Sequence, residues 1–95
     1  MAEQISLTGA EKKKLRGLAQ TIEAKILVGR ETELADITRQ LEQIFKHEDL
    51  VKIRFRTPDR KAIMALCGEI ENAAGVICVS QVGKTAAFFN PVPAE

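Results

Sequence analysis

The residues that could do chemistry in this 95-residue chain are few and scattered. The single histidine, His47, falls at the predicted end of a helix, where a solvated histidine is ordinary. Ser6 and Ser80 have no nearby base, and there is no G-x-S-x-G nucleophile elbow. Cys67 and Cys78 lack C-x-x-C spacing, so with one histidine they do not make the four-ligand set of a structural zinc site. We therefore expect no enzyme, no metal and no cofactor.

Basic residues form the more suggestive clusters. The formal net charge is only +1, so a polyanion partner has to be argued from where the charges sit. The basic residues are Lys12, Lys13, Lys14 and Arg16 in a predicted helix, Lys52, Arg54 and Arg56 on one face of a predicted strand, and Arg30 and Lys84 in two turns. If they converge, they form a phosphate-binding surface. Otherwise they are ordinary solvated faces, and the pattern alone favours neither interpretation.

Aromatic residues are scarce, which bears on the kind of nucleic acid that would fit. The chain has four phenylalanines and no tyrosine or tryptophan. Proteins that hold single strands do so largely by stacking bases on aromatic side chains. We therefore expect base stacking to matter little, and double-stranded or structured RNA, held by phosphate and shape, to fit better.

Hydrophobic periodicity and turn residues place these candidates on seven elements. In order, we predict a helix over 9–22 that begins with a capping box at Thr8 and Glu11, a strand over 24–28, and a helix over 33–47 capped by Thr32. A strand over 50–56 follows, and then a helix opened by Thr57-Pro58-Asp59 and ended by Gly75. The last two elements are strands over 76–82 and 85–89, joined by a turn at 83–84. The order α-β-α-β-α-β-β predicts one compact α/β (α+β) domain over residues 1–95. It would contain a four-stranded mixed sheet with the helices on one face.

Composition sets the broad class. Hydrophobic residues make up 45% of the chain and charged residues 28%, the balance of a folded soluble domain rather than a disordered one. No apolar segment has signal-peptide or membrane-spanning length, so we expect a cytoplasmic protein. Both cysteines lie in apolar stretches, where we expect buried, reduced thiols.

Several short segments, taken in order, resemble one known family. They are Leu7-Thr8 with Glu11-Lys12-Lys13 and Leu15-Arg16, Val28-Gly29-Arg30, Leu50-Val51-Lys52-Ile53-Arg54, Val79-Ser80-Gln81-Val82-Gly83-Lys84, and Phe89-Asn90-Pro91. This set resembles the CRM (YhbY-like) domain over about residues 5–91. No single motif is specific, and the ordered set carries the resemblance.

The resemblance implies a fold, a function and a partner. The fold is α-β-α-β-α-β-β, similar to the C-terminal domain of translation initiation factor three. The function is RNA binding without catalysis. Bacterial members of the family associate with precursors of the large ribosomal subunit. We thus expect a monomeric accessory factor for large-subunit ribosomal RNA or pre-ribosomal particles, with no membrane or small-molecule partner. The RNA-binding residues would be Lys12, Lys13, Arg16, Gly29, Arg30 and Lys84.

One departure from the family pattern leaves an alternative open. The family contacts RNA through a GxxG loop, but here Gly29 is followed by Thr32 at the second glycine position. Threonine does not reach positive φ cheaply, so we expect the loop to close differently. Glu31 and Glu33 would also lower the positive potential of the loop. The alternative is a protein-interaction module that keeps the fold and has weakened RNA binding.

Overall fold

The computed structural model describes residues 8–29, 31–56 and 59–91. Within them lie three helices and four strands: α1 (Gly9–Ala19), β1 (Ala24–Val28), α2 (Leu34–Ile44), β2 (Leu50–Phe55), α3 (Arg60–Ala74), β3 (Ile77–Val82) and β4 (Thr85–Phe89). The predicted order of elements is confirmed. The helices are shorter than predicted, since α1 and α2 each end three residues early. In the described residues no helix is long and apolar enough to cross a bilayer.

The capping box predicted for α1 is present. The Glu11 N–H donates to Thr8 Oγ1 at 3.1 Å, and the Thr8 N–H donates to Glu11 Oε1 at 3.0 Å. The two bonds satisfy donors that the first turn of a helix leaves free. The pKa of the Glu11 carboxyl is lowered, mainly by the hydrogen bond from the Thr8 backbone N–H and to a smaller extent by a hydrogen bond with the Thr8 side chain.

The other two helix starts differ from their predictions. Thr32 does not cap α2: the N-cap is Glu33, whose side chain makes no capping hydrogen bond. Asp59 caps α3 by accepting from the Lys61 N–H at 3.0 Å. Thr57 and Pro58, which were predicted to open α3 together with Asp59, lie outside the described residues. Gly75 ends α3 with φ 68°, as its position predicted, because only glycine takes this left-handed conformation without cost.

The sheet has the strand order β1-β2-β4-β3, with β1 parallel to β2 and the other pairs antiparallel. The crossover through α2 makes the first pair parallel, since parallel strands need a long connection. The carboxyl ends of β1 and β2 therefore lie at one edge of the sheet. The tight turn between β3 and β4 lies at the same edge, because Thr85 pairs with Arg54 near the end of β2.

Helices cover both faces of the sheet, which corrects the prediction of helices on one face. The face packed by α2 and α3 carries Val51, Ile53, Phe55, Ala86 and Phe88, all buried. The opposite face packs against α1 through a second apolar cluster, whose members are Leu15, Ala19, Leu50, Ile77, Val79, Ala87 and Phe89.

The sequence carries a signal for this arrangement in β4. Its residues, TAAFF, are apolar at consecutive positions rather than alternating, and Ala86, Ala87 and Phe88 are all buried. Continuous apolar strands are typical of sheets covered on both faces. The small side chains of Ala19 and Ala87 are packed in the same cluster, so α1 approaches β4 closely.

We predict that Val79→Ala destabilises the fold by about 1–3 kcal/mol, because Val79 is buried under α1 and the smaller side chain leaves a cavity in that cluster. Urea unfolding measures this. The control is Val82→Ala, which removes the same atoms at the end of β3, where Val82 is 62% exposed, and should change stability by less than about 0.5 kcal/mol. Equal stabilities of the two variants would contradict the placement of α1 on this face.

Candidate nucleic-acid interface

Three backbone segments meet at the sheet edge formed by the carboxyl ends of β1 and β2. The Arg56 N–H donates to the Val28 carbonyl at 2.8 Å, which extends the parallel pairing beyond β2. The Phe55 N–H donates to the Lys84 carbonyl at 2.7 Å, which fixes the β3–β4 turn to the end of β2. The position of Lys84 is thereby tied to that of Arg56 and to the loop that follows Val28.

The turn itself depends on a glycine. Gly83 takes φ 58°, while no other kind of residue in the described chain has positive φ. A glycine at the first central position of a two-residue hairpin turn matches the twist of the flanking strands. Lys84 therefore takes the second position, and its exposed side chain is presented at the sheet edge.

A surface depression of about 360 Å³ lies at this edge. Its lining residues are Leu27, Arg54, Phe55, Arg56 and Lys84. The three cationic side chains are exposed, whereas the Phe55 side chain is fully buried beneath them. We call Arg54, Arg56 and Lys84, together with Gly29 beside them, the edge surface.

The cations of the edge surface are not neutralised by carboxylates in the described part of the chain. No acidic residue of that part lines the depression. The ion pairs found there, Lys25 with Glu48 and Arg39 with Asp36, involve other cations. Three unpaired positive charges around one concavity produce a local field that favours an anion.

The loop that begins at Gly29 closes through Thr32. The Thr32 N–H donates to the Gly29 carbonyl at 3.2 Å, and the Gly29 N–H donates to Thr32 Oγ1 at 2.9 Å. A glycine at position 32 could form only the first of these bonds. The threonine hydroxyl therefore holds the loop and does not cap α2.

Gly29 also adjoins the edge surface directly. A Cβ added at Gly29 would lie 4.0 Å from Arg56 Cδ and 3.9 Å from Thr32 Oγ1, which is ordinary contact. Glu31 and Glu33 are exposed, but neither lines the depression. Arg30, the remaining predicted site residue of this loop, lies outside the described residues.

The cations of α1 form a separate group. Arg16 Nε donates to the Val79 carbonyl at 3.2 Å, which places this group beside β3. From Val79 to the end of β3 at Val82 the strand rises by about 10 Å, at roughly 3.3 Å per residue. We call Lys12, Lys13 and Arg16 the α1 surface; it lies along β3, away from Lys84.

The predicted site residues therefore divide into two groups, and two further cations join one of them. Sequence patterning marked Lys52, Arg54 and Arg56 as one basic face without assigning it a role. In the structure Lys52 is half-buried, with Nζ 3.5 Å from the Ile22 carbonyl, whereas Arg54 and Arg56 join Lys84. The parallel pairing of β1 and β2 is the signal that could have placed them beside Gly29.

The two cysteines differ in burial. Both are free; Cys67 is buried as expected, but Cys78 is only partly buried. A hydrogen bond with Cys78, followed by burial, raises the pKa of the Cys67 thiol far above its usual range. Cys67 is therefore a neutral thiol at physiological pH. In the described residues no group of three or more His, Cys, Asp or Glu side chains could hold a metal ion.

We predict that Thr32→Ala lowers stability by about 0.5–1.5 kcal/mol, because it leaves the partly buried Gly29 N–H without its acceptor. A thermal melt should show a fall of roughly 4–8 °C per kcal/mol. Thr32→Ser keeps the hydroxyl and should melt close to the wild type. If the alanine variant melts at the wild-type temperature, the hydroxyl does not hold the loop.

Comparisons with known proteins agree with this architecture. The family model for the CRS1/YhbY (CRM) domain matches residues 7–90. Among solved structures, the chain is similar to a hypothetical protein from Staphylococcus aureus that is described as a candidate RNA-binding protein. The TM-score is 0.80 and the identity 20%, over 92% of this chain and 91% of that one, so the likeness is one of fold. On the family match, the chain belongs to the CRS1/YhbY (CRM) domain family.

Proposed function

We propose that this protein binds structured RNA through the edge surface and does not catalyse a reaction. The observation that carries the proposal is the convergence of Arg54, Arg56 and Lys84 on one depression beside Gly29, with no carboxylate from the described residues lining it. Arg30 belongs to the same loop by sequence and joins the proposed contacts. Family membership and the RNA-binding description of the Staphylococcus aureus neighbour support the same conclusion.

Physical chemistry favours phosphate as the group that the edge surface binds. Arginine presents a planar fork of donors that matches phosphate oxygens, and lysine contributes a compact charge. Neutralising phosphates releases condensed counterions, so binding is strong at low salt and weakens steeply as salt rises. The backbone hydrogen bonds that fix the Lys84 turn to β2 hold these charges in place before RNA arrives, which reduces the ordering cost of binding.

The α1 surface extends the proposed contact. Lys12 is half-buried and Arg16 is anchored to β3, so part of their side-chain entropy is already lost in the free protein. Lys13 is exposed beside them. Because the α1 surface lies away from the edge surface, it would bind different phosphates from those at Arg56 and Lys84. Two separated cationic surfaces suit a folded RNA that presents its backbone at more than one place.

The cellular role that we propose is an accessory one in maturation of the large ribosomal subunit, with its ribosomal RNA as partner. The proposal rests on what the resemblance to bacterial members of the family implies. A domain of this size that binds through phosphate contacts and shape discriminates by the folded form of the RNA more than by its sequence. Precursor ribosomal RNA offers many such folded elements.

We predict that Arg56→Gln with Lys84→Gln weakens binding to large-subunit ribosomal RNA fragments and flattens its salt dependence. Each lost phosphate contact should reduce the slope of log K against log salt by about 0.7 to 0.9. Fluorescence anisotropy across a salt series measures both quantities. Stability should change little, because both side chains are exposed.

The matched control is Arg39→Gln with Lys46→Gln, which removes the same charge from exposed positions on and just after α2. It should leave the slope nearly unchanged. Equal losses in the two double variants would mean that net charge alone drives binding. Weak wild-type binding that neither variant alters would remove the RNA-binding proposal and favour the protein-interaction module.

A second experiment tests the α1 surface and the target together. Lys12→Gln with Lys13→Gln should weaken binding independently of the edge-surface variant, since free energies of separated sites add to within about 0.5 kcal/mol. Competition between large-subunit ribosomal RNA and an unrelated folded RNA of equal length then measures preference. Preference for the ribosomal RNA is expected; equal competition would leave RNA binding standing and remove the ribosomal assignment.

A further inference from the structure

We propose that the depression of the edge surface receives one unpaired nucleotide, extruded from the bound RNA. This inference rests on the proposed function and specifies the RNA that the site prefers. It starts from a row of residues that crosses the sheet on the face covered by α1. Leu27 pairs with Arg54, Arg54 with Thr85, and Thr85 with Val82.

This row is the part of the face that α1 leaves open. Helix α1 ends at Ala19, over the neighbouring row that contains Ala87. Leu27 on the outer strand β1 is 59% exposed, and Val82 is 62% exposed. Leu27 thus supplies an apolar wall to the depression, opposite the Arg54 side chain in the strand register.

Leu27 is an exposed apolar side chain beside the cations of this depression, on the outer strand. The depression combines an apolar wall with three positive charges, and a nucleotide combines a flat apolar base with a phosphate. The base would contact Leu27 and stack on the guanidinium plane of Arg54, as arginine does with unstacked bases. Arg56 and Lys84 would take the phosphates on either side.

Size and accessibility restrict the occupant further. The volume of about 360 Å³ is at the lower end of the roughly 300–1,000 Å³ of small-ligand pockets. It accommodates one nucleotide rather than a strand of several. A paired base is stacked inside its helix and exposes only its edges in the grooves, so its face cannot contact Leu27. Only a base that is free to leave the stack, in a bulge or loop, reaches Leu27.

The phenylalanines do not compete for this role. Phe55 and Phe88 are fully buried, Phe45 is buried, and Phe89 packs under α1. No phenylalanine side chain is therefore accessible for stacking at the depression, and the base would stack on the guanidinium plane of Arg54 instead. The low aromatic content of the sequence argues against stacking of bases on aromatic side chains. That argument does not concern stacking of a base on the guanidinium group of Arg54.

The test compares three RNA hairpins that differ at one position: fully paired, with a single bulged uridine, and with an abasic residue in place of that uridine. The abasic hairpin keeps the bulged backbone and removes only the base. We expect the uridine bulge to bind about tenfold more tightly than the abasic one, since a cation–π contact between one base and an arginine contributes roughly two- to thirtyfold. Anisotropy titrations at one salt concentration measure the ratio.

Amino-acid substitutions test whether the difference in affinity between the uridine and abasic hairpins arises at the depression. Leu27→Thr with Arg54→Lys removes the apolar wall and the guanidinium plane but keeps the charge, and it should bring the affinity of the uridine bulge close to that of the abasic hairpin. Met64→Gln is the control, because Met64 is also exposed, at 62%, but lies on α3. It should preserve the tenfold ratio.

The outcomes separate this inference from the proposed function. Equal affinity for the uridine and abasic hairpins, with binding still dependent on Arg56 and Lys84, overturns the nucleotide pocket and leaves RNA binding by phosphate contact intact. A ratio that survives Leu27→Thr with Arg54→Lys also overturns it, because the base is then bound elsewhere. No binding to any hairpin or to ribosomal RNA fragments overturns both.

Discussion

The parallel pairing of β1 with β2 is the constraint on which the proposed site depends. A crossover through α2 brings the carboxyl ends of both strands to one edge, and β4 then pairs with β2 so that the Lys84 turn reaches the same edge. Residues far apart in sequence, Gly29, Arg56 and Lys84, thereby become neighbours. Were β1 antiparallel to β2, the loop at Gly29 would lie at the opposite edge from Arg56.

The coverage of the sheet shapes the site as much as the pairing does. Helix α1 covers part of one face and holds Lys52 beneath its end, but it stops before the row of Leu27 and Arg54. Alternation fixes the register of β2, because a shift by one residue would bring Lys52 and Arg54 to the core face. The same partial coverage leaves a leucine exposed among arginines, the mixed character from which we infer a nucleotide pocket.

The threonine at position 32 holds the loop that begins at Gly29. Its hydroxyl accepts a hydrogen bond from the Gly29 N–H, which limits the conformations open to the loop backbone. The glutamates that flank it are exposed and do not line the depression. The sequence features that favoured a protein-interaction module therefore do not obstruct the edge surface. The positive charge that the loop adjoins comes from β2 and from the β3–β4 turn.

The sequence by itself determined the elements of this protein, because capping, periodicity and turn signals are local. The Thr8 capping box, the alternation in β2 and the stops at Gly75 and Gly83 were all readable from the chain. Only the tertiary structure decided which cations share a surface. That decision depends on strand order and on which helix covers which face, and these follow from contacts between residues distant in sequence. Arg54 and Arg56 were separated from Lys52, and Lys84 from Lys12, by packing alone.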